Sequence, residues 1–248
     1  MHYVIYDLEF NQKTSITDEN QLINNTDFPF EIIQIGAIMI DENFKQIATF
    51  NKLIKPTAYT TIHPYVESLT KITDQKLFYC QTFPEVFKEF IKFLGDDQIV
   101  FCVWGKNDIK ELLRNIKFHN LPTIDIFKYY IDIQQHASKI FNVPKGTKIG
   151  LSNAVNLLNI TTNSEFHDAY NDAFYTAEVF KTIYNVKMKP KIYKYTPSKR
   201  LSKPKEKTDT VALIAQFEKM LNRTMTKEEM MIIKLAYNMG KTKQFIKK

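Results

Sequence analysis

Residues 1–10 read MHYVIYDLEF, and residues 31–41 read EIIQIGAIMID. The first stretch is apolar, β-branched and aromatic, the composition of a strand. It carries two acids, Asp7 and Glu9, two residues apart. Side chains alternate along a strand, so both carboxylates face the same side. Neighbouring carboxylates on a core strand repel one another and lose solvation. A solvated strand end would make the pair unremarkable. A divalent cation would remove the conflict, and hard oxygen ligands of this type suit Mg²⁺ or Mn²⁺.

Working outward, EIIQIGAIMID and QIATFNKLIK (46–55) read as two further strands, joined by the turn DENF. A three-stranded meander is expected. TFPEVFKEFIKFLGDD (82–97) reads as a helix: Pro84 suits its first turn, Val86, Phe87, Phe90, Ile91 and Leu94 follow helical spacing, and Gly95 ends it. QIVFCVW (98–104) reads as a buried strand, and NDIKELLRNIKFHN (107–120) as a helix that Asn107 would cap. A strand and helix follow in TIDIFKYYIDIQQHASKIF (123–141), then a short helix in GLSNAVNLLNI (150–160). DAYNDAFYTAEVFKTIYN (168–185) is a long helix with Ala169, Ala173, Ala177, Phe180 and Tyr184 on its inner stripe. A meander followed by alternating helices and strands gives an α/β fold, a mixed sheet flanked by helices. That is the outline of a ribonuclease H-like fold, and of some other α/β folds.

Charge is divided unevenly. The chain has 34 Lys+Arg and 27 Asp+Glu, a net charge of +7. From Lys187 to Lys248 there are 17 Lys+Arg and 5 Asp+Glu, which is +12; residues 1–186 hold 17 and 22, which is −5. KMKPKIYKYTPSKRLSKPKEKTD (187–209) is rich in Lys and Pro and reads as a basic extended linker. Residues 210–248 read as a small helical region of two amphipathic helices. Thr226 and Glu229 have capping-box spacing, Gly240 marks a stop, and TKQFIKK forms a third short helix. The organisation expected is therefore 1–186, 187–209 and 210–248. No apolar run is long enough to span a membrane, and the N-terminus lacks the pattern of a signal peptide. Cys80 and Cys102 form no Cys-x-x-Cys pair, so neither a disulfide framework nor a zinc site is expected, and a reducing cytoplasm fits. A basic tail would attract phosphates to a domain that is itself acidic.

Further acids fall where a strand meets a helix. Asp108, in FCVWGKNDIKEL, opens a helix after the buried strand; ligand sites gather at such junctions, though an acid there also simply stabilises the helix dipole. His167 and Asp172 lie five residues apart in FHDAYNDAFYTAEVF. At about 100° per residue they would sit about 140° apart on one helix. His167 must therefore lie in the loop before the helix if both serve one site, with Asp172 in the first or second turn.

Asp-x-Glu in a first strand, an acid opening a helix after a buried strand, and His-x-x-x-x-Asp at a late helix: in this order the residues resemble the three motifs of the DEDDh (DnaQ-like) 3′→5′ exonucleases. The resemblance covers residues 1 to about 186. FPFEIIQIGAIMID, VWGKNDIKEL and IGLSNAVNLLNI look like segments of the subgroup of small-RNA and histone-mRNA 3′ exonucleases and their bacterial relatives. VESLTKITDQKLFYCQTFPEVFKEFIKFL is similar to that subgroup's Leu-Thr-Gly-Ile passage into a helix, with Lys71 where Gly is usual.

The resemblance implies a ribonuclease H-like fold and hydrolysis of single-stranded nucleic acid from a free 3′ end, to nucleoside 5′-monophosphates. Two divalent cations, Mg²⁺ or Mn²⁺, would be held by Asp7, Glu9, Asp108 and Asp172, with Asp7 bridging them. His167 would be the general base, and an imidazole's ordinary pKa near ~6.5 suits that role. Leu8, Phe10 and Trp104 are the candidates for contact with the terminal base, although Leu8 alternates away from the acids and an aromatic in a strand is usually core. RNA or short oligonucleotides are favoured. The alternatives are a DNA proofreading or repair exonuclease, or a nucleic-acid-binding protein without catalysis. No protein partner for the C-terminal region is readable.

Overall fold

The computed structural model describes residues 1–13, 28–95, 98–122, 129–144, 146–162, 164–185, 187–194 and 209–241. They form two compact units, Met1–Thr196 and Pro197–Lys248.

The first unit is built on a six-stranded mixed sheet. Its strands are β1 (His2–Gln12), β2 (Phe30–Ile40), β3 (Gln46–Leu53), β4 (Ile99–Val103), β5 (Tyr129–Asp132) and β6 (Lys191–Ile192), in the order β3-β2-β1-β4-β5-β6. The expected meander is present, with β1 antiparallel to β2 and β2 to β3. β4 lies parallel to β1 and to β5, and β6 closes the far edge antiparallel to β5.

Alternation along β1 divides the core. Val4, Tyr6 and Leu8 face one side and pack with α3 (Phe83–Leu94) and α4 (Asn107–Phe118). Tyr3 and Ile5 face the other, among side chains of α5 (Ile133–Ile140), α6 (Leu151–Leu157) and α7 (Ala169–Ile183). Ala169, Ala173 and Ala177 on the buried face of α7 let it lie close to the sheet. Thr82 and Glu85 form the capping box of α3, with Pro84 in its first turn.

A bulge interrupts the β1–β2 register between Glu9 and Phe10, so that Ile33 has no opposite number. Bulges re-aim side chains. Ile33 joins Ile62, Val66, Ile72 and Leu77 at α1 (Pro64–Thr70) and α2 (Asp74–Leu77), two short helices that the sequence reading did not assign. Asn115 of α4 completes the hydrogen bonding there: its Oδ1 accepts from the Ile32 N–H at 3.1 Å and its Nδ2 donates to the Phe30 carbonyl at 3.1 Å. Lys71 ends α1 with φ 59°, the left-handed cap that the usual Gly would adopt without strain.

Between β3 and α1 the chain is irregular but densely bonded. The Glu31 carboxylate accepts from the backbone N–H groups of Thr57, Ala58 and Tyr59 at 2.6, 2.9 and 2.8 Å. Asn11 donates to the carbonyls of Tyr59 and Thr61, and the Tyr59 hydroxyl donates to the Phe28 carbonyl.

The structure departs from the sequence reading here as well. The first unit extends through Thr196 rather than ending at residue 186. Met188 is buried, Lys191 and Ile192 pair with Tyr130 and Tyr129, and Tyr193 packs edge-on to Tyr130. Lysines are what an edge strand carries to discourage further pairing, and that composition made the strand look like a linker. Asn107 does not cap α4; it is the first helical residue, after Lys106. Residues 195–208 of the expected linker lie outside the described residues.

The second unit holds α8 (Thr210–Leu221) and α9 (Lys227–Lys241). Asp209 caps α8, and Thr226 with Glu229 forms the expected box at α9. Gly240 does not stop α9, which continues to Lys241. The third helix expected in TKQFIKK lies outside the described residues.

Candidate active site

Asp7 and Glu9 stand on β1 opposite Gly36 and Gln34 of β2. Residues directly opposite in an antiparallel pair share a face, so the two acids look toward α7. What brings that helix to them is an absent side chain. A Cβ on Gly36 would lie 2.2 Å from the Ala169 carbonyl carbon and the Tyr170 nitrogen. The N-terminus of α7 therefore rests directly on the β2 backbone, and its first turn carries Asp172.

Gln34 holds the same end. Its Nε2 donates to Asp168 Oδ2 at 2.9 Å, and its Oε1 accepts from the Ala169 N–H at 3.2 Å. Asp168 caps α7 through its other oxygen, which accepts from the N–H groups of Tyr170 and Asn171. Asn171 ties back to the Glu165 carbonyl at 2.9 Å. His167 lies before the helix with its side chain exposed and its backbone at φ 67°. Its N–H donates to Asp172 Oδ2 at 3.3 Å.

Asp7, Glu9 and Asp172 each offer one oxygen, all within 4.8 Å of one another. The second Asp172 oxygen, Oδ1, is buried without a hydrogen-bond partner. A buried carboxylate oxygen with no donor is costly; a cation is the ligand that three converging carboxylates can share. The residues thus fit a divalent ion with oxygen ligands. Asp108 is the second residue of α4, buried at the end of β4 and outside this trio, yet close enough to act on Asp7 and Glu9.

Without a cation the four acids keep their protons to higher pH than ordinary carboxylates. Burial pushes Asp7 well above the carboxylate range, and Asp108, Asp172 and Glu9 add to this. Glu9 rises to about 8, first through burial, then through Asp172 and Asp108. Asp108 rises to about 7 by burial, opposed by a bond from its own N–H. Asp172 rises to about 6 by burial, opposed by the His167 N–H. Clustered, desolvated carboxylates of this kind mark functional sites.

Of the apolar candidates for base contact, Leu8 is overturned. Its side chain is 4% exposed in the core on the opposite face of the sheet, as strand alternation requires. Phe10 is half-buried, packed against that core and against Phe30. Trp104 is half-buried against the α7-side core, its indole N–H buried without a partner. Gln34, Gly36 and Asp168 were missed as parts of the site. A polar residue and a glycine inside the run EIIQIGAIMI were the available signal, since glycine in a strand often marks close backbone approach.

The chain is similar to several known proteins. The RNase_T family model, described as Exonuclease, matches residues 4–180. DNA polymerase III subunit epsilon of Aquifex aeolicus (strain VF5) is 31% identical over 182 residues, covering 71% of this chain and 83% of that protein. The nuclease domain of 3′hExo, a DEDDh family member solved bound to rAMP, superposes with a TM-score of 0.65 at 19% identity, covering 79% of this chain and 97% of that one. S. pombe Pop2p, solved in a Mg²⁺- and Mn²⁺-bound form, gives 0.54 at 21%, covering 73% and 82%. The two structures share the fold.

Proposed function

Because the chain belongs to the RNase_T exonuclease family, we propose that it is a DEDDh 3′→5′ exonuclease that trims single-stranded nucleic acid from a free 3′ end, RNA or short oligonucleotides before DNA, by a two-metal-ion mechanism. The observation that carries this reading is the Asp7–Glu9–Asp172 trio with its unpartnered Asp172 oxygen. Two bound Mg²⁺ or Mn²⁺ ions would acidify a water and neutralise charge on the phosphate. Asp7, Glu9 and Asp172 would hold the first ion, and Asp108 with Asp7 would hold the second. His167 accepts the proton of the attacking water on an imidazole nitrogen, which its exposed position before α7 leaves open to solvent. Gln34 and Asp168 keep the start of α7, and so Asp172, in place against β1. The products are nucleoside 5′-monophosphates. The basic C-terminal stretch attracts longer strands without reading their sequence.

The RNA preference draws on FPFEII and WGKND and on the rAMP bound to 3′hExo. A second reading, DNA as substrate, is favoured by the name of the Aquifex aeolicus relative. The deciding experiment uses 5′-labelled single-stranded RNA and DNA with the purified protein, each with Mg²⁺, Mn²⁺ or EDTA. A ladder shortening from the 3′ end of RNA, faster than of DNA and absent in EDTA, is the result expected. Faster DNA shortening supports the second reading. Cleavage of neither strand with either metal overturns both.

A further inference from the structure

A trough opens on the acid-bearing face of the sheet, one strand beyond the site. Its floor is Gln34 of β2 with Asn51 and Leu53 of β3. These strand positions are in register, since Gln34 pairs with Leu53 and Gly36 with Asn51, so they share the face of Asp7 and Glu9. Asp168 forms the wall toward the acids, and Lys76, Tyr79 and Gln81 line the wall away from them. The volume is about 520 Å³. Strands lie ~4.8 Å apart, so β3 runs roughly 10 Å from the acids on β1.

The chemistry of the outer wall is specific. Tyr79 is 92% exposed, and Phe78 beside it is 61% exposed. Their rings meet edge to face with centroids 4.8 Å apart, and the Lys55 ammonium stands 5.1 Å from the centre of Phe78. The Lys76 ammonium is fixed at the rim by a 2.8 Å bond to the Lys71 carbonyl. Lys52, also lining the trough, is paired with Glu89 at 3.0 Å. The Asp168 carboxylate is already bonded by Gln34, Tyr170 and Asn171, which moderates its repulsion of a phosphate. Exposed aromatic rings beside lysines, above a floor of amides, are the parts from which single-strand grooves are made: rings stack bases, and ammonium groups meet phosphates.

We propose that this trough is a nucleotide subsite for the strand 5′ of the bond being cut, with Tyr79 stacking a base and Lys76 meeting a phosphate. The inference rests on the exonuclease reading, and it adds where the uncleaved strand lies. The trough continues the acid-bearing face, and its occupant is the polyanion whose end those acids would process.

The test uses the full chain with single-stranded oligonucleotides of increasing length, and Tyr79→Ala and Lys76→Ala variants. Removing one stacked base raises KM for an octamer roughly tenfold, while the same variants change KM for a dinucleotide much less. In parallel, an octamer bearing photoreactive 4-thiouridine upstream of its 3′ end is bound in Ca²⁺ and irradiated; crosslinks to Tyr79 are expected. Cleavage by wild type with octamer KM unchanged in both variants, and crosslinks elsewhere, overturns the subsite alone. Wild type that shortens no strand overturns the exonuclease reading itself. Where a variant folds poorly, judged by its melting temperature, the crosslink position in wild type decides.

Discussion

Two helices present acids to the site, and they are anchored at opposite ends. α7 is fixed at its beginning, where Gly36 admits its backbone, Gln34 grips Asp168 and Ala169, and Asp168 caps it. α4 begins at Asn107 with no side-chain cap from Lys106, and its hydrogen bonds to the sheet come two turns later, through Asn115 to β2. Asp172 therefore belongs to a trio already within 4.8 Å, while Asp108 stands apart from it. The three acids that could share one cation are thus brought together by the fold itself, whereas Asp108 is not gathered with them.

The largest effect tests that contrast directly. Asp7→Ala and Asp172→Ala should reduce cleavage to background and remove the rise in melting temperature given by Mn²⁺, a rise worth ~2.7 kcal/mol for an ion at 100 times its Kd. Asp108→Ala should also lose cleavage but keep a measurable part of the Mn²⁺ shift. Complete loss of the shift in Asp108→Ala would break the comparison. Next, His167→Ala should slow cleavage by about 10²–10⁴-fold with the Mn²⁺ shift retained; loss of both would make the imidazole a ligand.

The two anchors themselves come third. Gly36→Ala forces a methyl group into the backbone of Ala169, and overpacking costs about 1–3 kcal/mol or more. Asn115→Ala removes the partner of the buried Ile32 N–H and of the part-buried Phe30 carbonyl, a cost of about 1–3 kcal/mol. Both should lower the melting temperature, but only Gly36→Ala should weaken Mn²⁺ binding as well, because it displaces Asp172. Calorimetry with and without Mn²⁺ separates them; equal losses of affinity would show that the two anchors serve the trio alike.

The smallest effect is in pH. Asp172 near 6, Asp108 near 7 and Glu9 near 8 all titrate above an unfolded carboxylate, which titrates near ~4. The native state then binds more protons than the unfolded state between about pH 4 and 8, so metal-free stability falls as pH rises through that window. Urea midpoints in EDTA should decline from pH 5 to 8, and saturating Mg²⁺ should flatten the decline. A midpoint that climbs with pH in EDTA would mean that the acids are ionised in the resting protein.

The strand period put Asp7 and Glu9 on one face, and helical geometry put His167 ahead of its helix; both readings depend on neighbours in sequence. The grip of β2 on α7 joins residues 134 positions apart, and no local period encodes it. β6 was hidden for the opposite reason: a two-residue edge strand with exposed side chains leaves no apolar alternation to read. Leu8 was legible as a core residue from its parity alone, and proximity in sequence to the acids misled.

Glu31 bears on where this unit has slack. Irregular segments are commonly the first to open, and the stretch joining β3 to α1 has no regular element of its own around Thr57–Tyr59. Yet its amides end on a carboxylate that is 1% exposed, and bonds to a charged acceptor are individually worth ~1.5–3 kcal/mol. The Ala58 and Tyr59 amides are buried in these bonds, and their hydrogen exchange should be as slow as that of strand amides. Glu31 thereby ties the irregular stretch between β3 and α1 to β2.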